Sequence, residues 1–287
     1  MSMPAELFAL TRPAHVAHVQ LVVSDLDRVS GYYQSVIGLR VMDEGGSAHV
    51  LGVDGRPLLT LLHRPDAARA PRQAAGLFHT AFLVPGRTEL AHWLSHAAAT
   101  GLGLDGASDH LVSEALYLTD PEGNGIEIYR DRPPEEWPHN ADGTVAMATE
   151  RLDLQALLTD APQSAWNGMA EGTAIGHIHL QVGDVPQAEA FYRDVLGLKV
   201  MAHYPGASFL ATGGYHHHLA ANIWNSRGAG PRAENMTGLA GYTLHFNDRK
   251  MLATTLANLE AQQIAIAQTA EGHRFLDPWG IAITLSA

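Results

Sequence analysis

His18, His79 and Glu127 combine two imidazoles with one carboxylate. Such a set holds non-haem iron from one side and leaves several coordination positions open for a substrate and oxygen. The strand that starts near His18 alternates: His18, Gln20 and Val22 share one face, and Val19, Leu21 and Val23 share the other. The apolar set packs on a helix, so His18 points away from it. His79 shares its face with Ala81 and Leu83, and Glu127 shares its face with Gly125 and Tyr129. If the units that carry these strands curl into one cup, the three side chains converge.

The elements that position them form an internal repeat. The run from His18 to Leu26 matches the run from His177 to Val185, and Tyr33 to Met42 matches Tyr192 to Met201, at a constant offset of 159 residues. Each copy reads as a strand, then a helix capped by Asp25 or Asp184 and closed by Gly38 or Gly197. In the first copy, strands follow near 39–43, 47–53 and 57–63, the last two joined by an Asp54-Gly55 hairpin turn. A second unit opens at Leu77, runs through a helix from Thr88 to Ala99, and ends on strands near 113–119 and 124–130 around the turn Asp120-Pro121-Glu122-Gly123-Asn124. Two more units occupy roughly 175–224 and 240–287, and Asp277-Pro278-Trp279-Gly280 repeats the turn. The expected fold is α+β, with four βαβββ modules arranged as two paired-module domains. Residues 1–131 hold the first pair and the metal site, 132–174 a proline-opened linker with a short helix near Asp153–Leu158, and 175–287 the second pair.

Composition narrows the chemistry. Cysteine is absent, so any metal is held by nitrogen or oxygen, and the chain offers 17 histidines. The formal net charge of -12, from 30 acidic and 18 basic residues, argues against nucleic acid as a partner. No apolar run reaches the roughly 20 residues that cross a bilayer. A cytoplasmic protein without a membrane partner is expected. Exposed strand edges in modules of this kind point to a homo-oligomer.

The segment from His110 through Tyr117 and Asp120-Pro121-Glu122-Gly123 to Glu127 resembles the signature of extradiol ring-cleavage dioxygenases. With the four-module layout, it identifies the chain as similar to the catechol 2,3-dioxygenase branch of the vicinal oxygen chelate superfamily, which also holds glyoxalases and bleomycin-resistance proteins. The resemblance implies metal ligation by His18, His79 and Glu127, with His110 and Tyr117 hydrogen-bonding the substrate or oxygen. It also implies an acid/base histidine ahead of the second ligand, for which His63 is the nearest candidate. The implied cofactor is Fe(II), with Mn(II) as the alternative, and the implied reactants are an aromatic diol and O2.

Two-domain members of that family usually carry their metal in the C-terminal half, and here that half reads as disabled. His177 matches His18, but Tyr242 stands for His79 and Thr284 for Glu127. His216 and His218 share a strand face and, with His177, form either an independent site or a cleft lining; His179, His217 and His245 have no assigned role. Two rival functions stand beside the dioxygenase. A glyoxalase-like isomerase needs a further carboxylate on the closing strand of module one, where Pro57–Leu62 has none. A metal-free binding protein would lack the triad.

Overall fold

A computed structural model describes residues 6–287. Module one comprises β1 (Ala14–Val23), α1 (Leu26–Tyr32), β2 (Arg40–Gly45), β3 (Ala48–Val53) and β4 (Arg56–His63). Module two comprises β5 (Gly76–Leu83), α2 (Arg87–Ala99), β6 (Gly106–Asp109), β7 (Ser113–Thr119) and β8 (Gly125–Asp131). The connecting segment holds a 3-10 turn (Pro134–Glu136), β9 (Glu150–Arg151) and α3 (Leu154–Leu158). Module three is β10 (Ala174–Gln181), α4 (Val185–Asp194), β11 (Lys199–Tyr204), β12 (Ala207–Ala211) and β13 (Leu219–Asn222). Module four is β14 (Gly238–Phe246), α5 (Arg249–Ala261), β15 (Ala267–Thr269), β16 (Gly272–Leu276) and β17 (Ala282–Ser286).

Local chemistry accounts for these elements. The Asp25 carboxylate accepts the Arg28 amide at 3.1 Å and Asp184 that of Gln187 at 2.8 Å, so both helix starts are capped. Past each helix end, Gly38 (φ +88°) and Gly197 (φ +72°) take the left-handed conformation. Asp54 and Gly55 both have positive φ, as a two-residue hairpin turn requires. Asp120 accepts the amides of Glu122 and Asn124, and Asp277 repeats this with Trp279 and Ile281. The β6 strand was not anticipated, because Gly-Ala-Ser-Asp has little intrinsic strand preference. It forms by pairing with β7.

The strands form an eight-stranded sheet in the order β15-β16-β17-β14-β1-β4-β3-β2 and a nine-stranded sheet in the order β11-β12-β13-β10-β5-β8-β7-β6-β9. The sheets therefore unite module one with module four and module two with module three, instead of pairing modules within each half as the repeat suggested. Each union is an antiparallel ladder between opening strands, β1 with β14 and β5 with β10. The 132–174 segment is long enough to bring module three back onto module two. On the helix side, Val19, Leu21 and Val23 are fully buried with Val29, Tyr33 and Ile37, and Ile178, Leu180 and Val182 are buried in the same way with Tyr192 and Val195. The opposite, concave faces carry the polar residues.

Candidate metal centre

The site lies in the concave face of the nine-stranded sheet. Register places His177, Ala81, Glu127 and Tyr117 in one row across β10, β5, β8 and β7, and His179, His79 and Gly125 in the next row. Ala81 sits between His177 and Glu127, and its single methyl leaves the space above it free. Gly125 stands beside His79 where a Cβ would meet the Phe78 carbonyl, so glycine lets β5 and β8 approach.

His79 Nε2 lies 2.9 Å and His177 Nε2 3.1 Å from Glu127 Oε2, and the two imidazole nitrogens are 3.2 Å apart. All three residues are buried, and among the described residues they are the group of three potential ligands that converges. Burial pushes the Glu127 carboxyl up, but the imidazoles of His177 and His79 outweigh it and hold the group well below the usual carboxylate range. Burial lowers His177 to about 4, against the opposing pull of Glu127, so its imidazole is neutral at physiological pH and free to ligate. Three donors at right angles with bonds of about 2.1 Å would lie about 3.0 Å apart, and a tetrahedral set about 3.4 Å. The observed edges fit the facial arrangement of a two-histidine, one-carboxylate site.

A family model for the Glyoxalase/Bleomycin resistance protein/Dioxygenase superfamily matches residues 15–128 and again 174–285. The chain belongs to that superfamily. Within it, the chain is similar to a catechol-2,3-dioxygenase of Bacillus subtilis (strain 168), 39% identical over 268 residues that cover 92% of this chain and 94% of that protein. It is also similar to biphenyl-2,3-diol 1,2-dioxygenase 3 of Rhodococcus globerulus, 28% identical over 132 residues, 44% of this chain and 70% of that one. Glyoxalase I from Zea mays shares the fold, with a TM-score of 0.56 at 16% identity, covering 97% of this chain and 94% of that one.

This superfamily chain therefore gathers two of the three expected ligands and replaces the third. His18 is in the other sheet, where its Nε2 lies 3.0 Å from the Thr60 hydroxyl. Its place beside His79 and Glu127 is taken by His177, the residue at the same position of the repeat. The ladder also revises the counterpart of His79. His79 pairs with His179, and Gly241 pairs with Gln20, the residue matching His179, so Gly241 and not Tyr242 stands in its place. Thr284 does match Glu127, because Thr243↔Thr284 repeats Ala81↔Glu127.

Around the triad opens a cavity of ≈ 390 Å³. His110 and Tyr117 line it, with His110 Nε2 2.7 Å from the Tyr117 hydroxyl. His110 Nδ1 lies 2.7 Å from the Ala148 carbonyl, which only accepts, so Nδ1 carries the proton and Nε2 accepts from Tyr117. Burial, reinforced by Glu127, raises the Tyr117 phenol well above its usual range and keeps it protonated. His63 does not reach the cavity. It closes β4 in the other sheet, level with Val23.

His217, which has no role assigned from the sequence, also lines the cavity, its ring centroid 4.0 Å from that of His177. His216 Nε2 lies 2.8 Å from the Asp131 carboxylate and its Nδ1 2.7 Å from His217 Nδ1; with the His216 proton on Nε2 alone, Nδ1 accepts from His217. The remaining nitrogen of His217, Nε2, is then unprotonated. Burial, with His177 and His216 adding, keeps the His217 pKa well below the usual imidazole value. Tyr215 also donates to Asp131, at 3.2 Å, and shares a hydrogen bond with Tyr129. His218 is turned away from the site, with Nε2 against the Ala9 carbonyl, so His216 and His218 build no centre of their own with His177. His179 lines the cavity and accepts from Asn222, and His245 lies in the other sheet beside Ser286. Residues 216–218 are not strand: they lie in the bend between β12 and β13, so the alternation expected for them does not hold and each ring is directed by its own hydrogen bonds.

Proposed function

We propose that this protein is an extradiol dioxygenase that cleaves the ring of a catechol-type diol beside one hydroxyl, with O2 and Fe(II), Mn(II) being the alternative metal. The carrying observation is the buried His79–Glu127–His177 triad at the base of a cavity that fits a small aromatic molecule. The diol dioxygenase names of its relatives support the same reading.

His79, Glu127 and His177 would hold the metal, and Glu127 contributes the single negative charge. The metal would polarise the diol oxygens and connect the diol electronically with oxygen. The unprotonated Nε2 of His217 takes a proton from a diol hydroxyl, and the Asp131–His216 pair holds that ring in the required tautomer and orientation. Tyr117 places its hydroxyl at the edge of the triad, and His110 sets its direction. Val145 to Thr149 of the connecting segment close over the cavity and limit water, held by the Val145 amide on the Met201 carbonyl at 2.9 Å.

An isomerase of the glyoxalase kind would take a further carboxylate from the strand beside a ligand strand. In this sheet that strand is β13, Leu219-Ala220-Ala221-Asn222, and it carries none. The test is to load the protein with Fe(II) anaerobically, add a catechol, and admit oxygen. A yellow ring-fission product with matched oxygen uptake is expected; neither signal across a panel of catechols rejects the proposal.

A further inference from the structure

Building on the ring-cleavage reading, we propose that the cavity selects neutral catechols bearing an apolar substituent and rejects carboxylated ones, with Phe78, Phe209 and Trp224 setting the preference. The cavity is chemically two-ended. At the inner end stand the triad, His110, Tyr117, His179 and His217. From there a file of rings leads outward. Phe78 lies 5.3 Å from His79 and 5.2 Å from Trp224, and Trp224 stands edge-on to Tyr204 at 6.4 Å. Phe209 joins this wall through edge-on contact with His217 at 5.0 Å.

Trp224 and Tyr204 are 44% and 48% exposed, so the file ends at the mouth. The indole is fixed in place, since Nε1 donates to the Pro205 carbonyl at 2.9 Å and its own amide to Asn222 at 3.1 Å. Val145 and Met147 line the same cavity from the connecting segment. A diol bound with its oxygens at the triad can lay a substituent along these rings and aliphatic groups, and the polar side chains elsewhere in the lining, Ser108, Ser113, Asn140 and Thr149, are uncharged; burying apolar area against the rings favours binding.

Charge gives the other half of the selection. Among the described residues no lysine or arginine lines the cavity, and the one carboxylate that does is Glu127. The rim imidazole of His203 is already engaged, with Nε2 2.7 Å from Glu189. A carboxylated diol would lose the hydration of its charge without gaining a cationic partner, which is costly. The volume points the same way, because ≈ 390 Å³ lies in the ~300–1,000 Å³ range of sites for ligands much larger than an unsubstituted ring.

Anaerobic calorimetry on the metal-loaded protein with 4-tert-butylcatechol, catechol and 3,4-dihydroxybenzoate tests this without turnover. The expected order is tert-butyl tightest and the carboxylate weakest, with about tenfold or more between successive ligands. Trp224→Ala, at an exposed position, should reduce the tert-butyl advantage over catechol to about threefold or less. Met147→Arg should raise affinity for the dihydroxybenzoate about tenfold by supplying a cation. Binding of the dihydroxybenzoate as tight as that of the tert-butyl compound, or an unchanged preference in Trp224→Ala, overturns the selection while ring cleavage still stands. No binding by any of the three overturns both proposals.

Discussion

The two concave faces are built on the same backbone plan, yet among the described residues only one gathers a set of potential metal ligands. In the nine-stranded sheet the row across the centre reads His177, Ala81, Glu127, Tyr117; in the eight-stranded sheet the equivalent row reads His18, Thr243, Thr284, Arg274. One row over, His79 is answered by Gly241. Even the ladder irregularities repeat, between Val16/His18 and Gln20/Leu21 in β1 and between Ile175/His177 and His179/Leu180 in β10. Replacing a carboxylate by a threonine, an imidazole by a hydrogen atom and a phenol by a guanidinium removes the ligands and adds a cation. The fold survives because its core lies on the helix side of each sheet, while the chemistry lies on the other.

The largest contrast should come from Glu127→Gln, which removes the only charge in the ligand set. We expect loss of bound metal by elemental analysis and a fall in ring cleavage of about 10³-fold or more, on the scale of the several kcal/mol that metal catalysis supplies. Thr284→Ala, the same position in the other sheet, should leave metal content unchanged.

The sharpest comparison is between the repeat-related histidines. His177→Ala should weaken metal affinity by at least about 100-fold in a competition titration, beyond the 10–100-fold typical of residues that only orient ligands. His18→Ala should leave it unaltered. The reverse result would mean that the sheets exchange roles in solution. For the acid/base histidines, His217→Gln should lower kcat by about 10²–10⁴ with metal retained, and His63→Gln should change it less than twofold in the same oxygen-uptake assay.

The smallest effect concerns acid stability. Burial lowers His18 to about 4 from an unfolded value of 6.5. The unfolded chain therefore binds a proton that the folded chain refuses, and stability falls as pH drops from about 6.5 towards 4. His18→Gln removes this penalty while keeping a group that can bond Thr60. At pH 5 it should be more stable than the parent by about 2 kcal/mol, or roughly 4–8 °C in Tm, and the gain should disappear at pH 7.5.

Much of the architecture was legible in the sequence because it is written in short-range chemistry. Asp25 and Asp184 cap helices, Gly38 and Gly197 end them, and Asp120 and Asp277 close matching turns. His79 and Glu127 were found together because they lie on parallel neighbours within one module. His110 and Tyr117 were found through the signature that ends on Glu127. His177 was visible as the repeat image of His18 but was set aside, since its own half offered it neither carboxylate nor second imidazole. His63 ends the closing strand of module one, whereas His217 stands in the bend ahead of the closing strand of module three, and nothing local says which of those modules faces the triad.

The sequence by itself determined the four modules, their caps and turns, the polar face of each opening strand, and two of the three converging side chains. Periodicity and turn preference act over a few residues, and they leave their mark wherever those residues stand. Only the tertiary structure decided that β5 pairs with β10 and β1 with β14, and with that choice that His177 and His217 stand at the triad while His18 and His63 do not. Every opening strand presents a similar apolar face and an open edge, so which edges join depends on burial summed over the whole chain and on the reach of the 132–174 connection, and no short stretch of residues records that sum.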